Sequence, residues 1–150
     1  MSSARVIWID LETFAHATEE PEKVFKALSF LLPEGGEKLV SRETAHGHYR
    51  NIIIIYKAKL TDKETIEWFL HMLSERMNDE DKKRLFRLFD MRFDDSGILY
   101  LRFDKQEAFL GRLKLSESED VIRVRIRFSA HPISKELIEE ICLDRGLMIK

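Results

Sequence analysis

From Val121 to Ser129 the chain reads VIRVRIRFS, an almost perfect alternation of apolar and charged residues. Successive side chains of a strand point to opposite faces, so Ile122, Val124, Ile126 and Phe128 share one face. Arg123, Arg125 and Arg127 share the other, about 7 Å apart along the strand. Such a strand suits an antiparallel sheet that is packed on one side and wet on the other.

The rest of the chain supplies partners for that strand. Arg5 to Ala15 also alternates, with Ile7, Ile9 and Leu11 opposite Trp8, Asp10, Glu12 and Phe14. Ile98 to Asp104 does the same, with Leu99, Leu101 and Phe103 inward and Tyr100 and Arg102 outward. Asp104 is a natural N-cap, with Glu107 three residues on to complete a capping box and Gly111 to close the short helix. Lys38–Ala45 and Ile52–Leu60 form an expected hairpin across the loop His46 to Asn51. The run Ile52 to Ile55 suggests a strand covered on both faces, by helices or by a partner subunit.

Helical periodicity marks the remaining segments. Thr18 is expected to cap a helix reaching about Leu32, with Pro21 in its first turn. Thr61 and Glu64 form a capping box for a helix carrying Ile66, Phe69, Leu70, Leu73 and Met77. Asn78–Phe89 is a second helix with Lys82, Lys83, Arg84 and Arg87 outside, and Ser134 caps the last one. Met91–Phe93 is expected to pair with Ile98–Asp104 across the turn Asp94-Asp95-Ser96-Gly97. The order β-α-β-β-α-α-β-β-α-β-α predicts a single α+β domain over residues 1–150. It should be a two-layer sandwich, a largely antiparallel sheet with helices mainly on one face.

Composition then limits the function. With 44% hydrophobic and 35% charged residues, a chain of 150 can bury a real core. The net charge of −2 provides no global attraction to nucleic acid, so any such binding depends on a local basic patch. A lone cysteine, Cys142, excludes an intrachain disulfide and fits a reducing compartment. No stretch approaches membrane-spanning length and the N-terminus lacks a signal-peptide pattern, so a cytoplasmic protein is expected.

Three guanidiniums in a row can contact successive phosphates or stack on bases. If Ile98–Asp104 lies beside the arginine strand, Tyr100 and Arg102 join them, and an aromatic among cations suits RNA. The competing reading is an ion-paired surface in which Asp10 and Glu12 lie across from the arginines. His46 and His48 could face one ligand, but no third ligand converges, so neither metal nor other cofactor is expected. Nucleophile elbows, Walker loops, dinucleotide fingerprints and zinc-protease motifs are absent, which argues against an enzyme.

Three segments carry a family resemblance: HATEEPEKV (His16 to Val24), GHYRN (Gly47 to Asn51) and LYLRFDKQEA (Leu99 to Ala108). Together they resemble a group of small archaeal proteins described as a predicted RNA-binding domain or predicted exosome subunit. Arg50 and Ile52 depart from the Gly and Pro more usual in that group. The resemblance implies a fold like that of large-subunit ribosomal protein L-five, and RNA binding without catalysis. The expected RNA contacts are then Arg123, Arg125, Arg127, Tyr100 and Arg102, helped by Lys105, Gln106, His46, His48, Tyr49 and Arg50. The RNA would be single-stranded or structured, and RNA-processing complex subunits are further candidate partners. The alternative is a protein-interaction module or homodimer, motivated by Ile52–Ile55 and an outward Trp8.

Overall fold

A computed structural model of the chain describes residues 4–47, 49 and 51–150. Its strands are β1 (Arg5–Ala15), β2 (Val40–His46), β3 (Ile52–Leu60), β4 (Ile98–Asp104) and β5 (Val121–Ser129). They form one sheet in the order β2-β3-β1-β5-β4, antiparallel at every junction. The helices are α1 (Pro21–Ser29), α2 (Lys63–Arg76), α3 (Asp79–Arg92), α4 (Lys105–Phe109) and α5 (Lys135–Asp144). The expected α+β architecture is therefore the one observed.

The inward residues of the alternating strands build the core. Ile9 and Leu11 of β1, Leu99, Leu101 and Phe103 of β4, and Ile122, Val124, Ile126 and Phe128 of β5 are all buried. Against them pack Val24 and Leu28 of α1, Phe69, Leu70 and Leu73 of α2, Phe89 of α3 and Ile138 of α5. Thr13 is fully buried on this side, and its hydroxyl donates to the Val121 carbonyl (3.1 Å), which offsets the cost of a buried polar group. The opposite face of the sheet keeps its polar side chains.

Helix starts follow local side-chain chemistry, with some changes of residue. Asp104 and Ser134 cap α4 and α5 as expected, and Asn78, expected as the first residue of its helix, caps α3; each accepts a backbone N–H of the first turn. At α2 the cap is Asp62, which accepts from Thr65 N, in place of Thr61. Helix α1 begins after Glu20 with no side-chain cap and stops at Ser29; Leu31 and Leu32 fill the core from the following turn. In the expected α4 box, Glu107 turns to Arg112 (2.6 Å), so only the Asp104 half is made.

Met91 and Arg92 are helix where a strand over Met91–Phe93 was expected. Helix α3 continues through Arg92, because the Phe93 N–H still bonds the Phe89 carbonyl (3.0 Å) and the two rings stack at 5.3 Å. Only Phe93 retains a single bridge to Leu99. The turn that follows is as expected: Asp94 Oδ1 accepts from Ser96 N, Ser96 Oγ and Ile98 N. Gly97 sits at φ +94, where a Cβ would meet the Phe128 carbonyl at 2.8 Å, so glycine is required there.

The Ile run is not covered on both faces: Ile52 is 52% exposed, while Ile53, Ile54 and Ile55 are half-buried. Among the described residues no helix is long and apolar enough to cross a membrane.

Candidate nucleic-acid interface

Register decides which residues meet on the open face. Across β1 and β5, Asp10 lies opposite Arg125, Glu12 opposite Arg123 and Trp8 opposite Arg127. Across β4 and β5, Tyr100 lies opposite Arg125 and Arg102 opposite Arg123. Tyr100 and Arg102 thus join the strand arginines. On the other side of β1, Lys59 lies opposite Asp10 and Lys57 opposite Glu12.

These side chains line a trough of about 830 Å³ that crosses all five strands. Its cations are Lys57, Lys59, Arg92, Arg102, Arg123 and Arg125, against two acids, Asp10 and Glu12, in the middle. Leu39, and Met91 at the end of α3, add apolar surface. Trp8 and Phe14 flank the acids along β1. Lys59 (5.1 Å) and Arg125 (5.4 Å) lie over the Trp8 ring, and Arg123 (5.5 Å) over Phe14. Trp8 is therefore sheltered by cations and is not a bare apolar patch.

The face is partly ion-paired. Arg125 donates to Asp10 at 2.6 Å. The loop Ser116 to Asp120 brings further acids to the β4 edge: Glu119 reaches Arg123 (3.5 Å) and Arg102 (3.8 Å). Glu117 binds Arg92 (2.6 Å) and Arg84 (3.2 Å), and the hydrogen bond from Arg92 holds its carboxyl below the usual range. Arg127 shares the face but lies outside the trough lining, and has no ion pair among the described residues. These pairs are solvent-accessible and individually weak, roughly 0–1 kcal/mol each, so a polyanion can exchange for them.

Tyr100 is held in place. Its hydroxyl donates to Asp94 Oδ2 (2.8 Å), a bond that raises the phenol's pKa. Desolvation works to raise the Asp94 pKa, but hydrogen bonds from Ser96, Ile98 and Tyr100 outweigh it and bring it to about 2.

Lys105 is a correction. It is 3% exposed, and its ammonium is fully engaged by the Phe14 carbonyl (2.6 Å), Asp120 (2.8 Å) and Glu19 (3.0 Å). Burial removes it from any surface that RNA could touch. Gln106 beside it is exposed and donates to Asp120 (3.3 Å). The segment Asp104-Lys105-Gln106 therefore ties α4 to the start of β5, to the end of β1 and to the turn before α1.

His46 and Tyr49, the described candidates of the β2–β3 loop, do not line the trough. His46 pairs with Ile52, on the helix side of the sheet by alternation, about 17 Å along β3 from Lys57. Tyr49 is 96% exposed in the same loop, with φ 59. His48 and Arg50 lie outside the described residues. No group of three or more His, Cys, Asp or Glu able to hold a metal occurs among the described residues.

Lys57, Lys59 and Arg92 belong to the trough but were not singled out from the sequence. For the lysines a signal exists, since YKAKL alternates once the Ile run ends. Arg92 was hidden by the strand expected at Met91–Phe93.

Residues 8–128 match the family model described as RNA binding, a span that covers every strand residue of the trough. The chain is 42% identical over 133 residues to RNA-binding protein PAB1135 of Pyrococcus abyssi, covering 87% of this chain and 86% of that one. It is 31% identical to the uncharacterized protein MJ0213 of Methanocaldococcus jannaschii, covering 85% and 89% respectively. The crystal structure of protein AF2318 from Archaeoglobus fulgidus superposes with a TM-score of 0.82 at 29% identity, over 94% of this chain and 99% of that one. This chain belongs to that RNA-binding family.

Proposed function

We propose that the protein binds single-stranded RNA across the open face of its sheet, and that its role is binding, not catalysis. The observation that carries this reading is the register of β4, β5 and β1. It sets Tyr100 and Arg102 beside Arg123 and Arg125 in one trough with Lys57 and Lys59. A buttressed tyrosine and arginines lying over Trp8 and Phe14 offer stacking surfaces, while the cations compensate phosphates. A duplex would present its phosphates to the trough floor, where Asp10 and Glu12 would repel them. Unpaired bases face no such penalty.

The test is fluorescence anisotropy with a labelled single strand and a duplex of the same length. The single strand should bind more tightly. The double variant Arg102→Ser/Arg123→Ser should lose at least tenfold in affinity while keeping its circular dichroism spectrum. Equal binding of duplex and single strand would overturn the reading.

An accessory part in RNA processing or degradation, with an exosome as the assembly, extends the same reading and follows from the family resemblance alone. Co-purification with exosome subunits that survives nuclease treatment would support it. A protein-interaction module, or a homodimer, is the second reading. Ile52 (52% exposed) and Met91 (78% exposed) are the observations in its favour. Light scattering without RNA separates the two, since a strict monomer that binds RNA leaves no place for the dimer.

A further inference from the structure

Glu12 occupies the centre of the trough floor, on the middle strand of the sheet, yet the one cation paired with it among the described residues, Lys57, stands at the far end of ion-pair range and donates no hydrogen bond to it. Its cross-strand neighbours are Lys57 and Arg123, both positively charged. The Lys57 ammonium stays 3.9 Å from Glu12 Oε2, beyond hydrogen-bond reach, and sits closer to Glu43 (3.4 Å). Arg123 turns away to Glu119 (3.5 Å) and over the Phe14 ring (5.5 Å). Asp10, two residues along the same face, is by contrast bonded to Arg125 at 2.6 Å. Among the described residues Glu12 accepts no hydrogen bond, and its side chain is only 36% exposed.

An ionised carboxylate is an acceptor with no proton to offer. In the free protein water satisfies it, and whatever displaces that water must bring a donor or leave a charge unpaired. A phosphate cannot do so. It is pushed towards Lys57, Lys59, Arg102 and Arg123, which turns the base towards the floor.

We infer that Glu12 is a specificity-determining residue, and that it selects bases carrying an exocyclic amino group over uracil. This rests on the reading of the trough as a single-strand site. Cytosine offers its N4 amino group, adenine its N6 amino group, and guanine N1–H together with N2–H. Uracil offers one N3–H between two carbonyl oxygens, and those oxygens face a carboxylate as like partial charges. Phe14 and the Arg123 guanidinium over it stand beside Glu12 as the stacking surface for the base so held.

Cytosine and uracil isolate the effect, because both are pyrimidines and differ only around the fourth ring position. The experiment measures anisotropy with labelled oligocytidine and oligouridine of equal length, on the wild type, on Glu12→Gln and on Arg102→Ser/Arg123→Ser. The wild type should prefer oligocytidine on the order of tenfold. In Glu12→Gln, whose amide both donates and accepts, the ratio should fall to within about twofold, mainly through tighter oligouridine binding. A wild type without preference, or a ratio unchanged in Glu12→Gln, overturns the role of Glu12. If the double arginine variant binds both oligomers as the wild type does, the trough reading itself fails and this inference falls with it. Loss of binding in that variant alongside a flat base preference removes Glu12 alone.

Discussion

Arg125 of β5 and Asp10 of β1 are joined at 2.6 Å across the middle of the open sheet, by residues 115 positions apart in sequence. The pair is a restraint on the trough: the guanidinium that a phosphate would use is already shared with a carboxylate. Substituting Asp10→Asn removes the competitor. RNA affinity should rise a few-fold, and the dependence of log K on log salt should steepen by about 0.7, the value of one extra phosphate contact on a single strand. Because Arg125 is 48% exposed, the loss of stability should stay within about 1 kcal/mol, measured by urea titration.

Lys105 is predicted to act on stability and not on RNA. Lys105→Met strips partners from Glu19, Asp120 and the Phe14 carbonyl together. A fully enclosed ion pair broken on one side costs roughly 3–5 kcal/mol; here both carboxylates reach water, so about 2–3 kcal/mol is expected. Denaturant midpoints check the size. Whatever fraction remains folded should bind RNA with the wild-type salt slope.

Asp94 gives the turn before β4 a pH dependence. Its folded pKa of about 2 lies below the ordinary value of 3.8, so its carboxylate contributes stability that is complete above about pH 5. That contribution fades as pH falls through 3.8 and is gone below about 2. The destabilisation caused by Asp94→Asn should therefore be largest near neutrality and shrink towards nothing at the acid end. Thermal melts of both proteins over that range check it. The same variant releases the Tyr100 hydroxyl and should weaken RNA binding at neutral pH.

Cys142 is predicted to be inert. Burial in α5 pushes its thiol up to about 12, and none of its surface is accessible. A thiol-reactive dye should leave the native protein unlabelled at neutral pH and react fully in denaturant. Rapid labelling of the native state would mean that α5 opens readily.

Much of the fold was legible because period two is a strong local signal. VIRVRIRFS and ILYLRFD showed which residues are core and which face outward, and Asp104 and Ser134 announced their helices. What stayed hidden depends on pairings far apart in sequence. Lys105 reads locally as a free cation after a cap, and only the approach of Glu19, 86 positions away, shows it to be buried. The placing of Asp10 and Glu12 against the arginines required the strand order. Met91–Phe93 misled because a short apolar-charged-apolar stretch is as compatible with a last helical turn as with a strand. The Asp104-Lys105-Gln106 part of the family resemblance identified a structural clasp, and the contact surface we propose is the trough.

The central claim is that RNA lies in the trough across β1, β4 and β5. Its most direct test is the salt dependence of single-strand binding in the wild type and in Arg102→Ser/Arg123→Ser. Each lost phosphate contact should flatten the slope of log K against log salt by about 0.7, so the double variant should be shallower by up to about 1.4 and bind more weakly at every salt concentration. A folded double variant with the wild-type slope and affinity would contradict the account and move the RNA to another surface.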